Sequence, residues 1–562
     1  MSAHVDPDDL APDDSAPDDI SPDEAADAWD APLVGPADLS SPPSGRSIRR
    51  YTAAAANQRS GASIGQLLND VYYAAISMAI GIGMALGIAG TLREALPKPP
   101  AGGVDAGLSL PSLVTVMVVG LAGILLSLAG RLGPVGAGGA EAAWWLPLPV
   151  DRRGLLRPAS RRLPLLAAGA GAVVVALFDT GLLAADDPAR VVRAALGAAL
   201  GAAVVVLAAG VGQTLLVTRR ATALVGDLVL AAAPLLALAG ALAGWTLDVL
   251  PVAPAWLLGV LAAVAALLAW TLDRRLDRIP SRSLRESGSV ANHAVGAVVS
   301  LDSRELGRAL TDGAARTRRR RSVRFRGVSG APAALVVADV MVLLRSTRHL
   351  VQIAVAALVP VLVALVPQLA GPVGFLIAVL LGGYVAMTAT GEGARRAEMA
   401  PVLDRLLPLP AGQVRRWRMV VPGVVMLLWS IVAFGAVGVW AGDLPTWLAL
   451  GIASAPVWAG AAIRSAYRPA PDWAGPLVST PMGALPTGVA SVLSRGPDVV
   501  ILGMIPVAIA ILLGSVLPVL LLVQMVLSVI VVAVSSASRT MMDRMNDALG
   551  QDSAQPTGAV RR

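Results

Sequence analysis

Twelve mostly apolar windows dominate this chain: 71–90, 112–130, 164–184, 196–217, 227–247, 255–271, 350–367, 372–390, 420–440, 446–463, 499–515 and 518–535. A helix rises about 1.5 Å per residue, so each window is close to the length that crosses a hydrocarbon core roughly 30 Å thick. Inside lipid every backbone N–H and C=O must be satisfied within the protein, which leaves helices or closed barrels. Windows of this length select helices. Composition agrees: 55% of residues are apolar, mean hydropathy is +0.68 and only 15% are charged, where a soluble chain carries about 25%. Polar surface is too scarce to cover a soluble core. The expected fold is an all-α polytopic membrane protein with about 12 transmembrane helices, located as a multi-pass protein in the cell membrane.

Arginine placement orients the helices. With the N-terminus in the cytosol, 41 of the 45 basic residues fall in inner segments, and the outer loops hold only Arg93, Lys98, Arg190 and Arg193. That is the positive-inside bias, and it places both termini in the cytosol. Trp245, Trp256, Trp440 and Trp447 then fall at outer span ends, and Trp270 and Trp417 at inner ones, where amphipathic rings are expected. The densest basic patch, seven arginines between Arg316 and Arg326, reads as a solvated or lipid-facing segment beside a helix. Membrane lipids are therefore expected contacts, and nucleic acid is not.

Scarcities exclude much chemistry. There is no cysteine, and the three histidines, His4, His293 and His349, have no ligand spacing. The only lysine, Lys98, lies outside any phosphate-binding loop, so no Walker motif exists. No cofactor is expected, and no enzyme activity.

The organisation follows the windows. Residues 1–45 form an acidic tail expected to be disordered, with eleven Asp or Glu and no basic residue in the first 30. Residues 46–271 hold six spans, 272–349 a polar and basic cytosolic connector, 350–540 six more spans and 541–562 a cytosolic tail.

The halves resemble each other. EAAWWLPLPVDRR at 141–153 and EMAPVLDRLLPLPAGQVRR at 398–416 each follow a two-span hairpin. Each contains Leu-Pro-Leu-Pro ahead of an arginine pair. Asp70 and Asp339, Pro147 and Pro408, and Asp227 and Asp498 are separated by 269, 261 and 271 residues. The expected arrangement is two six-helix parallel repeats, related by an axis along the membrane normal. Proline restricts its predecessor and lacks an N–H, so P-x-P stops a helix and stiffens the turn.

These loops carry a resemblance. The chain resembles the membrane subunits of ABC exporters, whose permease has six spans and a short cytosolic coupling helix after the second. It also looks like an actinobacterial family of multi-pass proteins that are fused doubles of such a unit. Glu141, Pro147, Pro149, Arg152 and Arg153 match the acid, leucine–proline and basic pattern in the first half. Glu398, Pro408, Pro410, Arg415 and Arg416 match it in the second. Glu398 stands ten residues before Pro408, where Glu141 stands six before Pro147. The resemblance implies an exporter permease that forms the path, with ATP hydrolysed on a separate cytosolic ABC-type ATPase, likewise in two copies.

Two other functions compete. A secondary transporter of an apolar or lipid-like substrate would keep ionisable groups inside its spans, but the windows hold little beyond Asp179, Asp227 and Gln213. Asp179, five residues from an outer span end, is expected to be interfacial and to tolerate asparagine. A non-transporting membrane scaffold is the other alternative. Gly83 and Gly87 form a GxxxG pair expected to bring helices close.

Overall fold

The computed structural model describes residues 44–60, 64–95, 107–183, 185, 187–245, 247–299, 328–467, 477–480, 483–486 and 496–537. The acidic tail, the 316–326 arginine patch and the 541–562 tail lie outside them.

The first set of helices is α1 (Gly45–Ser60), α2 (Ile64–Ala95), α3 (Leu110–Leu132), α4 (Gly139–Trp144), α5 (Arg152–Leu177), α6 (Pro188–Thr214), α7 (Arg219–Leu242), α8 (Ala255–Arg274) and α9 (Ser281–Val299). The second is α10 (Gly330–Leu344), α11 (Thr347–Leu365), α12 (Pro372–Thr390), α13 (Glu392–Glu398), α14 (Pro401–Arg405), α15 (Ala411–Arg418), α16 (Val420–Ala441), α17 (Leu444–Ala466), α18 (Pro497–Gly503), α19 (Ile505–Leu513) and α20 (Pro518–Ser536). A short antiparallel hairpin, β1 (Leu477–Thr480) with β2 (Gly483–Pro486), precedes α18.

Local chemistry sets the helix ends. Ser109, Asp151, Asp187 and Thr218 each accept a first-turn backbone N–H with their side chains and so start α3, α5, α6 and α7. Gly442 and Gly514, in the left-handed region, close α16 and α19.

Ten helices among the described residues are long and apolar enough to cross a membrane, with α15–α16 counted as one and α5 extended to Leu182. The chain is thus an all-α, multi-pass membrane protein. Two of the twelve windows are not among these ten. Window 71–90 lies in α2, whose apolar stretch among the described residues is Ala75–Gly87. Window 499–515 is broken into α18 and α19 at Met504, because Pro506 has no N–H to continue the ladder. Buried Gln524 of α20 donates to the Gly503 carbonyl at the break, at 3.0 Å. A further apolar helix, α10, lies inside the segment expected to be a polar connector.

Three helix pairings recur in both sets. In the first, α5 packs on α6, α6 on α8 and α3 on α7; in the second, α16 packs on α17, α17 on α20 and α12 on α19. The sets meet where α7 lies against α11, and the Leu108 N–H donates to the Leu365 carbonyl at 2.7 Å. The best-filled core belongs to the second set, around Trp429, Trp458, Phe375, Phe434 and Met426.

Two expectations are corrected here. Among the described residues nothing lies within 4 Å of a Cβ placed on Gly83 or Gly87, so this GxxxG pair packs on none of their helices. The close approach is elsewhere. A Cβ on Gly226 of α7 would sit 2.3 Å from the Ser127 nitrogen of α3, and one on Gly123 would sit 2.6 Å from the Leu230 nitrogen. Trp447 is the other correction: it is buried in the core, because its helix packs on α16, while Trp245, Trp256, Trp270 and Trp417 are exposed as belt residues would be.

Candidate functional site

The two Leu-Pro-Leu-Pro segments form short turns at the arginine-rich end of the bundle. In the first, Glu141 lies in the first turn of α4 and its Oε2 accepts the Gly138 N–H at 3.0 Å. Leu146 turns inward onto Leu156, Leu272, Leu276 and Leu284, while Pro147 and Pro149 stay exposed. The Val150 N–H donates to the Leu148 carbonyl across Pro149 at 2.9 Å. Trp144 stands 76% exposed beside it.

The second turn has the same tight bridge one proline earlier. The Leu409 N–H donates to the Leu407 carbonyl across Pro408 at 2.7 Å. Pro408 and Pro410 are exposed, as are Val402 and Leu406. Glu398 differs from Glu141, since it ends α13 instead of starting a short helix. An extra helical turn, α14, stands between it and the prolines, which accounts for the longer spacing.

The arginines behind these turns are engaged within the chain. Arg153 and Arg157 both grip Asp273 at the end of α8, at 2.5 and 2.6 Å. Arg415 donates to the Ala537 carbonyl, and Arg416 Nε reaches Ser536 Oγ at 3.4 Å, both at the end of α20. Arg152, partly buried, begins α5. In each set, then, the helix after the turn is tied to the end of the last helix. Sequence reading singled out the arginine pairs but missed Asp273 and Arg157, because a partner about 120 residues away leaves no local signal.

Helix α9 packs against α4. Gln213, at the end of α6, exchanges hydrogen bonds with Val135 at 3.0 and 3.2 Å and reaches Ser283 of α9 at 3.2 Å. Arg219 donates to Ser287 Oγ and to the Ser283 carbonyl. Gln213 is therefore a structural hub, which explains a polar residue in an apolar window.

Residues 104–476 match the model of a family described as "Family of unknown function (DUF6297)". The chain belongs to this family. No curated protein matches it, and no solved structure does. The DUF6297 match spans α3 to α17, and so contains both proline turns.

The same DUF6297 region holds buried charges. Arg131 of α3 pairs with Asp227 of α7 at 2.7 Å, and Ser127 donates to the same carboxylate at 2.6 Å. Arg418 bridges Asp339 of α10 and Asp404 of α14, at 2.8 and 2.7 Å. Burial pushes the Tyr467 hydroxyl pKa up, so it stays protonated beside Asp404. Around α13, Glu392 takes Arg395 and Arg396 at 3.2 and 2.9 Å. Burial pushes the Glu392 carboxyl up, but these arginines and His349 outweigh it and hold it below its ordinary value.

Asp179 corrects an expectation. It is not interfacial but fully buried, in a π-turn (Phe178–Leu182) at the end of α5. Among the described residues neither carboxylate oxygen accepts a hydrogen bond, and Arg190 of α6 lies 3.5 Å away while donating to the Leu250 carbonyl. The π-turn adds a residue per turn and carries Asp179 inward.

Proposed function

We propose that this chain is the membrane-spanning permease of an ATP-driven, ABC-type exporter, forming the translocation path while a separate cytosolic subunit hydrolyses ATP. One observation carries the reading: each proline turn is joined, through arginines, to the end of the last helix of its own set. A push on a stiff turn would therefore act on two spans together. Recurring helix pairings support two units over 46–271 and 350–540; in this reading each has six spans, and both termini are cytosolic. In this reading Trp144 and Leu148 on one turn, and Val402 and Leu406 on the other, face two ATPase copies. The bound arginines hold the turns in place, and Glu141 orders the short helix leading into its turn.

The test is co-purification in detergent with a candidate ATPase at matched expression. P147A with P149A, or P408A with P410A, should each reduce bound ATPase and its stimulation severalfold. Full binding and stimulation by both variants would remove the reading's main support.

Secondary transport of an apolar or lipid-like substrate is the second reading. The buried Asp179–Arg190 pair favours it, since a charge inside a span is costly unless it works. Loss of transport in D179N at normal insertion would make it the better one.

A further inference from the structure

We propose that Arg348, with Arg131 and Arg395 beside it, forms a phosphate-binding site where the two helical sets meet. The phosphate would be that of an anionic phospholipid headgroup or free inorganic phosphate. This site stands independently of the exporter reading.

Charge balance is the first reason. Around the start of α11, Arg131, Arg348, Arg395 and Arg396 gather with the carboxylates Asp227 and Glu392, while Asp339, against Gly393, is held by Arg418. Asp227 is taken by Arg131, and Glu392 by Arg395 and Arg396. Arg348 is left without a carboxylate partner, and its buried Nη1 donates to nothing among the described residues. A buried guanidinium nitrogen without a partner is costly, and an anion relieves it.

Helix polarity is the second. Arg348 and His349 occupy the first turn of α11, where the unpaired backbone N–H groups already place partial positive charge. Acidic side chains are favoured there, yet the turn has none, and Ser346 supplies no side-chain cap. His349 is 4% exposed and its Nδ1 has no partner. Its electrostatic neighbours are the same Glu392, Arg348, Arg395 and Arg396. Three kinds of unpartnered group therefore lie at one helix start: first-turn backbone N–H groups, a guanidinium nitrogen and an imidazole nitrogen. Helix N-termini and arginine forks are the donors that suit phosphate oxygens.

Position is the third. Helices α7 and α11 join the two sets, and Arg348 at the start of α11 interacts electrostatically with Arg131 and Asp227 of the other set. Basic pockets between helices at a membrane boundary take anionic headgroups. Arg348 is partly exposed, which leaves a way in from the surface.

The experiment uses the full chain, purified in detergent and in nanodiscs of phosphatidylcholine with or without phosphatidylglycerol. Native mass spectrometry reads retained lipid, and thermal unfolding reads stabilisation. Wild type should retain phosphatidylglycerol over phosphatidylcholine, and R348Q should lose that preference about tenfold. R348K should keep part of it. If the source is free phosphate, millimolar inorganic phosphate should raise the unfolding midpoint of lipid-stripped protein where chloride at equal ionic strength does not, and R348Q should abolish the rise. Equal retention of the two lipids by wild type, together with no phosphate effect beyond chloride, overturns the site. So does a folded R348Q that behaves as wild type. Should R348Q not fold, the wild-type arms and H349Q decide by the same criteria.

Discussion

Arg153 at the start of α5 and Asp273 at the end of α8 are 120 residues apart in sequence and 2.5 Å apart between Nη2 and Oδ2. Arg157, one helical turn on, takes the other oxygen at 2.6 Å. Arg416 and Ser536 repeat the relation at the same separation of 120 residues, with a weaker contact of 3.4 Å. One end of the bundle is thus closed by ties running from the proline turns to the last helix of each set.

Removing the stronger tie should have a measurable but modest effect on stability. Both arginines are more than a third exposed, so D273A should cost on the order of 1 kcal/mol. R416A should cost less. If the tie transmits force, D273A should lower ATPase stimulation more than it lowers the thermal unfolding midpoint.

Asp179 should tolerate removal poorly. D179A leaves Arg190 partly buried with no carboxylate, a loss of about 3 kcal/mol. D179A combined with R190L should recover part of it, because the orphaned charge goes too. A double-mutant cycle on the unfolding midpoint checks this. Additive effects would mean that the pair is not coupled.

The α3–α7 contact should depend on its glycines. G226L forces a side chain into a backbone already within contact distance, so it should destabilise by about 3 kcal/mol or prevent assembly. G83L and G87L meet open space and should leave the midpoint unchanged. Stability of the three variants in one detergent compares them directly.

Asp339 supplies a pH dependence. Burial pushes its carboxyl up to about 6, with Arg418 opposing and Asp404 assisting. Between that value and the ordinary carboxylate range, the folded protein holds a proton that the unfolded chain has released. This contribution to stability is therefore present at the acid end of the window and is lost as pH rises through about 6. Relative to D339N, the wild-type unfolding midpoint should fall between about pH 5 and about pH 7.

Much of this protein is legible without coordinates, because crossing a bilayer is a one-dimensional demand. Length, apolarity and backbone satisfaction act along the chain, so ten windows became long helices close to their expected bounds. The proline turns were legible for the same reason, since proline acts on its immediate neighbours.

What the tertiary structure decided is which side chains meet. Apolar helices present no periodic face, so sequence alone pointed to Gly83 and Gly87, while the close approach fell at Gly123 and Gly226. Asp179 read as interfacial from its distance to a span end, and a π-turn buried it. Arg153 read as part of the basic pattern after the prolines and Arg157 was not singled out, yet Asp273 holds both. Arg348 was one of many arginines at a helix end, distinguished only once three other guanidiniums had gathered near it and His349. Pairing of charges in low dielectric depends on distances of a few ångströms between remote segments, and helix packing sets those distances.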